Sequence, residues 1–198
     1  MKKIATLLAG SALAAAALTA PTLTAPAQAA AFSPAPCVAG TVTPVGGTYL
    51  GCAGGFTGND SNQQTAVMAA LQSLSTSLGL PNGWTYDSDH KSDASGNGLF
   101  TSNPGGTSGT LTFDGPMQQI FAIALKAGNF YSLYVFDGGI TGITSITYNT
   151  LGVAQKPNGA SPGLSHASYY AVPEPLTLLG TAAALGLGAV MRRRTEEA

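Results

Sequence analysis

Residues 120–136 read IFAIALKAGNFYSLYVF, two apolar runs joined by a short segment of turn-forming residues. The first run extends from Ile120 to Leu125, and Lys126-Ala127-Gly128-Asn129 follows it. In the second run, residues 130–136, the side chains alternate between two faces of an extended chain. One face carries Phe130, Ser132, Tyr134 and Phe136, and the other carries Tyr131, Leu133 and Val135. The stretch therefore predicts an antiparallel β-hairpin.

Further short strand-like segments with turn signals between them lie on both sides of this hairpin. Thr110-Leu111-Thr112-Phe113 alternates polar and apolar residues, and Asp114-Gly115-Pro116 interrupts it. Residues 143–148 and 165–170 complete the set. This spacing predicts a mainly β domain, a small antiparallel β-sandwich or jelly-roll-like fold.

One amphipathic helix is expected, over residues 62–78. Its apolar residues recur at helical spacing and favour packing of one face on a sheet. They are Val67, Ala70, Leu71, Leu74 and Leu78. Ser61 and Gln64 resemble a capping box at its start, and Gly79 is a natural stop.

Charge is distributed unevenly along the 198 residues, whose formal net charge is -1. Residues 30–171 contain no Arg and no Glu, and their three Lys against six Asp give a net charge of -3. A nucleic-acid-binding surface needs clustered cations to displace counterions from phosphates. The composition therefore excludes nucleic acid as a partner.

Residues 1–29 have the order of parts of a secretory signal peptide. Lys2-Lys3 forms a positive start, Ile4 to Leu18 an apolar run, and Ala27-Gln28-Ala29 a site of small residues for signal peptidase. The apolar run predicts a signal helix and export of residues 30–171, the β-rich domain.

Residues 172–198 form a distinct C-terminal segment. Val172-Pro173-Glu174-Pro175 cannot continue a helix, because each proline lacks a donor and restricts its predecessor. Leu176 to Met191 is uncharged and apolar or small, and Arg192, Arg193 and Arg194 close it. Sixteen helical residues would span about 24 Å, which predicts a transmembrane helix with its arginines on the cytoplasmic side.

The order of Pro173-Glu174-Pro175, an apolar helix and an arginine cluster resembles the PEP-CTERM sorting signal of secreted proteins. The resemblance implies recognition of Pro173, Glu174 and Pro175 by an exosortase, a transpeptidase-like enzyme of the inner membrane. It also implies removal of the tail and delivery to the outer surface or extracellular matrix of a Gram-negative bacterium, in association with exopolysaccharide. A tail anchor that is never cut is the alternative. The segments Leu125 to Asn129 and Gly163 to Ala167 resemble stretches of other such proteins, most of which have no assigned activity.

Cys37 and Cys52 are the two cysteines of the chain. In an oxidising compartment they favour a disulfide that closes a loop of about 15 residues and contributes about 3 kcal/mol at best. A metal site is the alternative, but two thiols without neighbouring histidines fall short of four ligands.

Asp87, Asp89 and Asp93 form the densest acidic cluster, interpreted as part of a Gly/Ser/Asn-rich loop beside His90. Their carboxylates could bind Ca²⁺, the one cofactor considered, although the EF-hand pattern fails. A solvated acidic loop is the simpler interpretation.

A catalytic role has little support in the sequence. A nucleophilic triad needs a histidine base, and His166 next to Ser165 is interpreted as an ordinary strand residue. Nothing singles out a pair of aspartates for glycoside hydrolysis.

Aromatic residues could stack on sugar rings, although packing is expected for most of them. They are Trp84, Tyr86, Tyr131, Tyr134, Tyr169 and Tyr170. The expected function is that of a non-catalytic exported protein; a carbohydrate- or calcium-binding module is the alternative, and a secreted hydrolase is third.

Overall fold

The computed structural model describes residues 33–92, 100–102 and 105–172. The expected signal peptide (1–29) and Asp93 lie outside these residues, as does the sorting segment after Val172, with Pro173, Glu174, Pro175 and the three arginines. The strands are β1 (Ser33–Pro34), β2 (Val42–Val45), β3 (Thr48–Thr57), β4 (Thr85–Lys91), β5 (Phe100–Thr101), β6 (Ser108–Met117), β7 (Ile120–Ala127), β8 (Phe130–Asp137), β9 (Ile143–Asn149), β10 (Ala154–Gln155) and β11 (Leu164–Ala171). The helix α1 spans Gln64–Leu78, and short 3-10 turns cover Ala39–Thr41 and Asp60–Asn62.

The strands form two main antiparallel sheets. One has five strands in the order β3-β8-β7-β11-β4, and the other has four in the order β2-β9-β6-β5. A small pairing of β1 with β10 accompanies them. The prediction of a mainly β, antiparallel, sandwich-like domain with one helix is confirmed.

The hairpin over residues 120–136 lies near the centre of the five-stranded sheet. Its register runs from Ile120 opposite Asp137 to Ala127 opposite Phe130, which leaves Gly128-Asn129 as a two-residue turn. Gly128 has a φ of 62°, a conformation that glycine adopts without a steric penalty. Almost every residue of both strands is buried, because each face of this sheet is covered.

Two hydrophobic cores lie on opposite faces of the five-stranded sheet. The core between the sheets contains Leu111, Phe113, Phe121, Ile123, Tyr134, Phe136, Ile146 and Tyr169, among others. The core beneath α1 contains Val67, Leu71, Trp84, Ala122, Ala124, Tyr131, Leu133, Val135, Tyr170 and Val172. The predicted division of residues 130–136 between two faces is therefore correct, and the architecture has three layers: sheet, sheet and helix.

The helix packs its predicted face on the sheet, although Leu78 is 37 % exposed and lies outside the core beneath α1. The helix also begins differently from expectation. Gln63 is the N-cap residue and makes no side-chain cap, so the expected capping box of Ser61 with Gln64 is wrong. Ser61 instead belongs to the preceding 3-10 turn, because its backbone and hydroxyl both donate to the Asn59 side chain. The expected stop is confirmed, since Gly79 has a φ of 68° and ends α1.

Two segments expected as turns or loops are strands. Asp114-Gly115-Pro116 lies within β6, where the register with β9 shifts between Thr112 and Met117. The ladder is irregular there and all three residues are exposed, so the chain stays extended without breaking the strand. Residues 85–91 form β4, the edge strand paired with β11.

Within the part of the chain that the structure describes, no helix is long and apolar enough to cross a membrane.

Candidate functional site

Cys37 and Cys52 form the predicted disulfide. Cys52 lies on β3, and Cys37 follows β1, with 6.1 Å between the two Cα atoms. Both cysteines are half-buried and pack against the core between the sheets. The bond therefore fixes the first described residues of the domain to an edge strand of the five-stranded sheet.

The aspartates expected to bind calcium lie on a strand. Asp87 and Asp89 are two residues apart on β4, so the interpretation of this segment as a loop is wrong. Pairing of β4 with β11 explains the difference, because β11 binds one side of the β4 backbone at Thr85, Tyr86 and Lys91. Among residues 33–92, 100–102 and 105–172, no group of three or more acidic, histidine or cysteine side chains is placed to hold a metal ion.

The most concentrated buried polar chemistry is a contact that the sequence did not indicate. Asp60 opens the 3-10 turn before α1, and His166 lies on β11. The His166 Nε2–H donates to Asp60 Oδ1 at 2.8 Å. The Asp60 side chain is fully buried and that of His166 is 6 % exposed. The pair joins the start of the helix to the sheet beneath it.

Further polar groups surround the Asp60 carboxylate. Ser168 and Tyr170 follow His166 at alternate positions of β11, and all three residues are buried. The Tyr170 hydroxyl donates to Asp60 Oδ2 at 3.4 Å, and Gln64 Nε2 donates to the backbone oxygen of Asp60 at 3.0 Å. These contacts link the carboxylate to both the strand and the first turn of α1.

A buried cation lies beside this group. Lys126 of β7 is opposite His166 in the ladder and is only 8 % exposed. Its Nζ donates to the backbone oxygen of Gly128 in the hairpin turn. The hairpin turn, β11 and the start of α1 therefore meet at one end of the sheet.

The electrostatics of the site stabilise a charged Asp60. Burial alone would raise the pKa of this carboxyl, but its hydrogen bonds and the charge of His166 together outweigh burial, so the pKa is lowered. Ser168 also favours the charged form, although its hydroxyl makes no hydrogen bond of good geometry within the described residues. Burial and the Asp60 charge raise the pKa of both Tyr131 and Tyr170, which keeps these phenols neutral.

A carboxylate bonded to an imidazole is the arrangement that orients a histidine base in many hydrolases. Here both side chains are buried under the start of α1, so a substrate could reach them only if that segment moved away. In the observed arrangement the pair acts as an internal tie between helix and sheet.

Acidification should weaken this tie. Because the folded-state pKa of Asp60 lies below its unfolded value of about 3.9, the stabilisation is complete above about pH 4 and is lost as the pH falls through the folded-state pKa. Urea unfolding between about pH 6 and pH 2 would measure the loss. Asp60→Asn should show a shallower decline over this range, and an identical decline in both proteins would contradict the assignment.

The aromatic residues considered for sugar stacking are mostly packing residues. Trp84, Tyr131, Tyr134, Tyr169 and Tyr170 are all at most 8 % exposed, and Tyr86 is half-buried against Tyr170. Trp84 also uses its polar edge internally, because Nε1 donates to Ser75 Oγ at 2.8 Å. The expectation that packing accounts for most of these residues is confirmed.

A shallow cleft of about 440 Å³ lies at the end of the four-stranded sheet where β6 begins and β9 ends. Its lining is Thr107, Ser108, Asn149, Leu151, Gly159, Ala160 and Ser161, with no charged side chain. Beneath it the buried Thr150 hydroxyl bonds to Ser161 Oγ at 3.0 Å and to the backbone oxygen of Pro162 at 2.7 Å. The cleft is thus a preformed surface of hydroxyl, amide and apolar groups.

Similarity to known proteins assigns no function to the Asp60–His166 pair or to the cleft. No protein-family model matches the chain, and neither a curated protein nor a solved structure is significantly similar to it.

Proposed function

We propose that this chain is a non-catalytic surface or matrix protein that its N-terminal signal peptide exports, that its C-terminal sorting segment anchors in the inner membrane, and that an exosortase then releases. The disulfide between Cys37 and Cys52 carries the proposal. Such bonds persist in oxidising compartments outside the cytoplasm, and this one is built into the domain at the junction of its N-terminal segment with β3.

The boundary between domain and sorting segment supports the same function. The last strand ends at Ala171, and Val172 is still packed in the core beneath α1. Pro173-Glu174-Pro175 follows immediately in the sequence. A processing enzyme would therefore meet its motif directly after the folded domain, and cleavage there would remove no residue of either core.

The internal use of the buried polar groups fits a structural role. His166 and Tyr170 both donate to the Asp60 carboxylate, and Trp84 donates to Ser75. The contacts of Asp60 join the turn before α1 to β11, and the contact of Trp84 joins the residues before β4 to α1. Such buried hydrogen bonds stabilise one arrangement of the layers.

The experiment expresses the full chain in a Gram-negative host with and without an active exosortase. With the enzyme, the wild-type protein should lose its tail and leave the inner-membrane fraction. Without the enzyme, it should stay there with the tail attached. Pro173→Ala combined with Glu174→Ala should behave like the enzyme-free case, whereas Pro157→Ala, at an exposed proline in a turn, should be processed normally. Identical fractionation of all samples would contradict the proposal.

The hydroxyl-lined cleft favours a second candidate, a carbohydrate-binding module. Ser108, Asn149 and Ser161 offer hydroxyl and amide groups beside the half-exposed Leu151, a combination that suits a neutral sugar. Titration with exopolysaccharide fragments, followed by thermal shift, should stabilise the wild type and the control Thr112→Ala. Ser108→Ala on the same strand should respond less. Equal responses of the two variants would exclude this cleft as the binding site.

A further inference from the structure

The loop between β8 and β9 displays an isoleucine to solvent. Ile140 is 94 % exposed, the largest exposure of any big apolar side chain among the described residues. A lone exposed aliphatic residue is common on protein surfaces. This one is distinguished by how its loop is held and by where it lies.

Hydrogen bonds fix the loop Gly138–Gly142 in one shape. Gly142 N donates to the backbone oxygen of Gly138 at 3.0 Å, and Gly139 N donates to Asp137 Oδ1 at 2.8 Å. Gln118 Nε2 donates to the backbone oxygen of Ile140 itself at 2.9 Å. Gly139 and Gly142 have φ values of 57° and 76°, which allow the tight path. The backbone therefore presents Ile140 outward at little cost in loop entropy on contact.

The loop lies at the end of the domain from which the chain leaves toward its sorting segment. Ala171 is opposite Phe121 in the ladder, and the neighbouring Ile120 is opposite Asp137, the residue that starts the loop. β11 and β8 are two strand spacings apart, about 10 Å. Val172 and the Ile140 loop are thus close neighbours on one end of the five-stranded sheet.

A second apolar residue occupies the same end. Val45, 54 % exposed, ends β2 next to Gly46, whose backbone packs against that of Gly142. The three described lysines are placed elsewhere. Lys126 is beside the hairpin turn at the opposite end, Lys91 ends β4 opposite Ser168, and Lys156 lies in the turn after β10. The end that carries Ile140 and Val45 therefore offers apolar contact without a described cation.

We propose that this end of the domain rests on the lipid bilayer while the tail is uncut, with Ile140 inserted among the lipid headgroups and Val45 beside it. The inference rests on the proposed function, because it takes Leu176 to Met191 as the membrane span. Three residues, Pro173-Glu174-Pro175, separate Val172 from that span, so the four steps from Val172 to Leu176 can reach at most about 14 Å. So short a connection holds this end of the domain against the membrane surface.

A lipid surface is the expected partner, because the described chain ends at Val172, next to the proposed membrane span. A protein partner would be expected to cover a broad apolar patch, whereas this end presents two separate aliphatic side chains. Their contact with lipid is too small to hold the domain alone, so removal of the tail would release it.

The test places a polarity-sensitive fluorophore on Ile140→Cys in the full chain, purified with its tail from a host without exosortase and reconstituted into phosphatidylcholine vesicles. No free cysteine is present among the described residues, so the introduced thiol is a single labelling position. The matched control is Leu151→Cys, a half-exposed leucine at the opposite end of β9.

We expect a blue-shifted emission at position 140 and roughly fivefold weaker quenching by aqueous iodide than at position 151. The shift should persist at high salt, because no described cation draws this end to lipid. Flotation of the vesicles separates the two claims. Protein that fails to float overturns the proposed membrane tail, whereas protein that floats with both probes equally quenched overturns the contact of Ile140 alone.

Discussion

Asp60→Ala is expected to lower the free energy of unfolding by about 3–5 kcal/mol, the range for breaking one side of a buried charged pair. The substitution removes the carboxylate that accepts from the buried His166 ring and from the Tyr170 hydroxyl. Urea unfolding of the exported protein at neutral pH would measure the loss. Asp114→Ala, at an exposed position of β6, is the control and should change the stability by less than about 0.5 kcal/mol.

A double-mutant cycle shows whether the loss belongs to the pair. Asp60→Ala, His166→Ala and the combined variant should give strongly non-additive losses, because the first substitution has already broken the hydrogen bond that the second would remove. Additive losses would contradict the tie between helix and sheet. A loss of less than about 1 kcal/mol for Asp60→Ala would do the same.

Removal of the disulfide should produce the second large effect. Cys37→Ser combined with Cys52→Ser is expected to cost about 3 kcal/mol, because the sequence separation of 15 residues frees a loop of that size in the unfolded chain. For a domain of this size the melting temperature should fall by roughly 10 °C. Calorimetry of the variant and of the wild type would measure the shift.

Chemical reduction provides the matched control for that variant. Wild-type protein treated with a thiol reductant should melt close to the temperature of the double serine variant, and the variant should not respond to the reductant. A wild-type melting temperature that is insensitive to reduction would contradict a stabilising role of the bond.

The features that sequence patterns predicted correctly are local. Alternation over residues 130–136, the turn at Gly128-Asn129 and the helical spacing from Val67 to Leu78 each involve neighbours in the chain. The hairpin and the helix follow from the periodicity of apolar residues and from the turn residues. The tertiary contacts of this fold stabilise the same local structures. The disulfide was also accessible, because two cysteines allow only one intramolecular pairing.

The candidate site could not be predicted, because its members are far apart in sequence. Asp60 and His166 are separated by 106 residues, and each has an ordinary local context: a turn before a helix and a strand. One feature of the sequence could have pointed to Asp60. It is a charged residue shortly before the amphipathic helix, in a domain that has few charged residues. His166 was correctly placed on a strand, but its register beside Lys126 follows from sheet pairing alone.

The segment that contains Asp87 and Asp89 was also wrongly interpreted because its structure depends on distant residues. Asp87, Asp89 and His90 have low strand propensity, so composition favoured a loop over residues 85–91. Pairing with β11 overrides that preference, because β11 offers an otherwise open edge. The composition of residues 85–91 does not show that β11 will be available to pair with them.

Intact mass spectrometry of the protein recovered from its final location tests the central claim most directly. The account predicts one species that begins near residues 30–32, ends near Pro173-Glu174-Pro175 and is lighter than the reduced polypeptide by two hydrogen atoms. A protein that carries residues 1–198 in full, with both cysteines reduced, would contradict export, processing and the oxidised domain together.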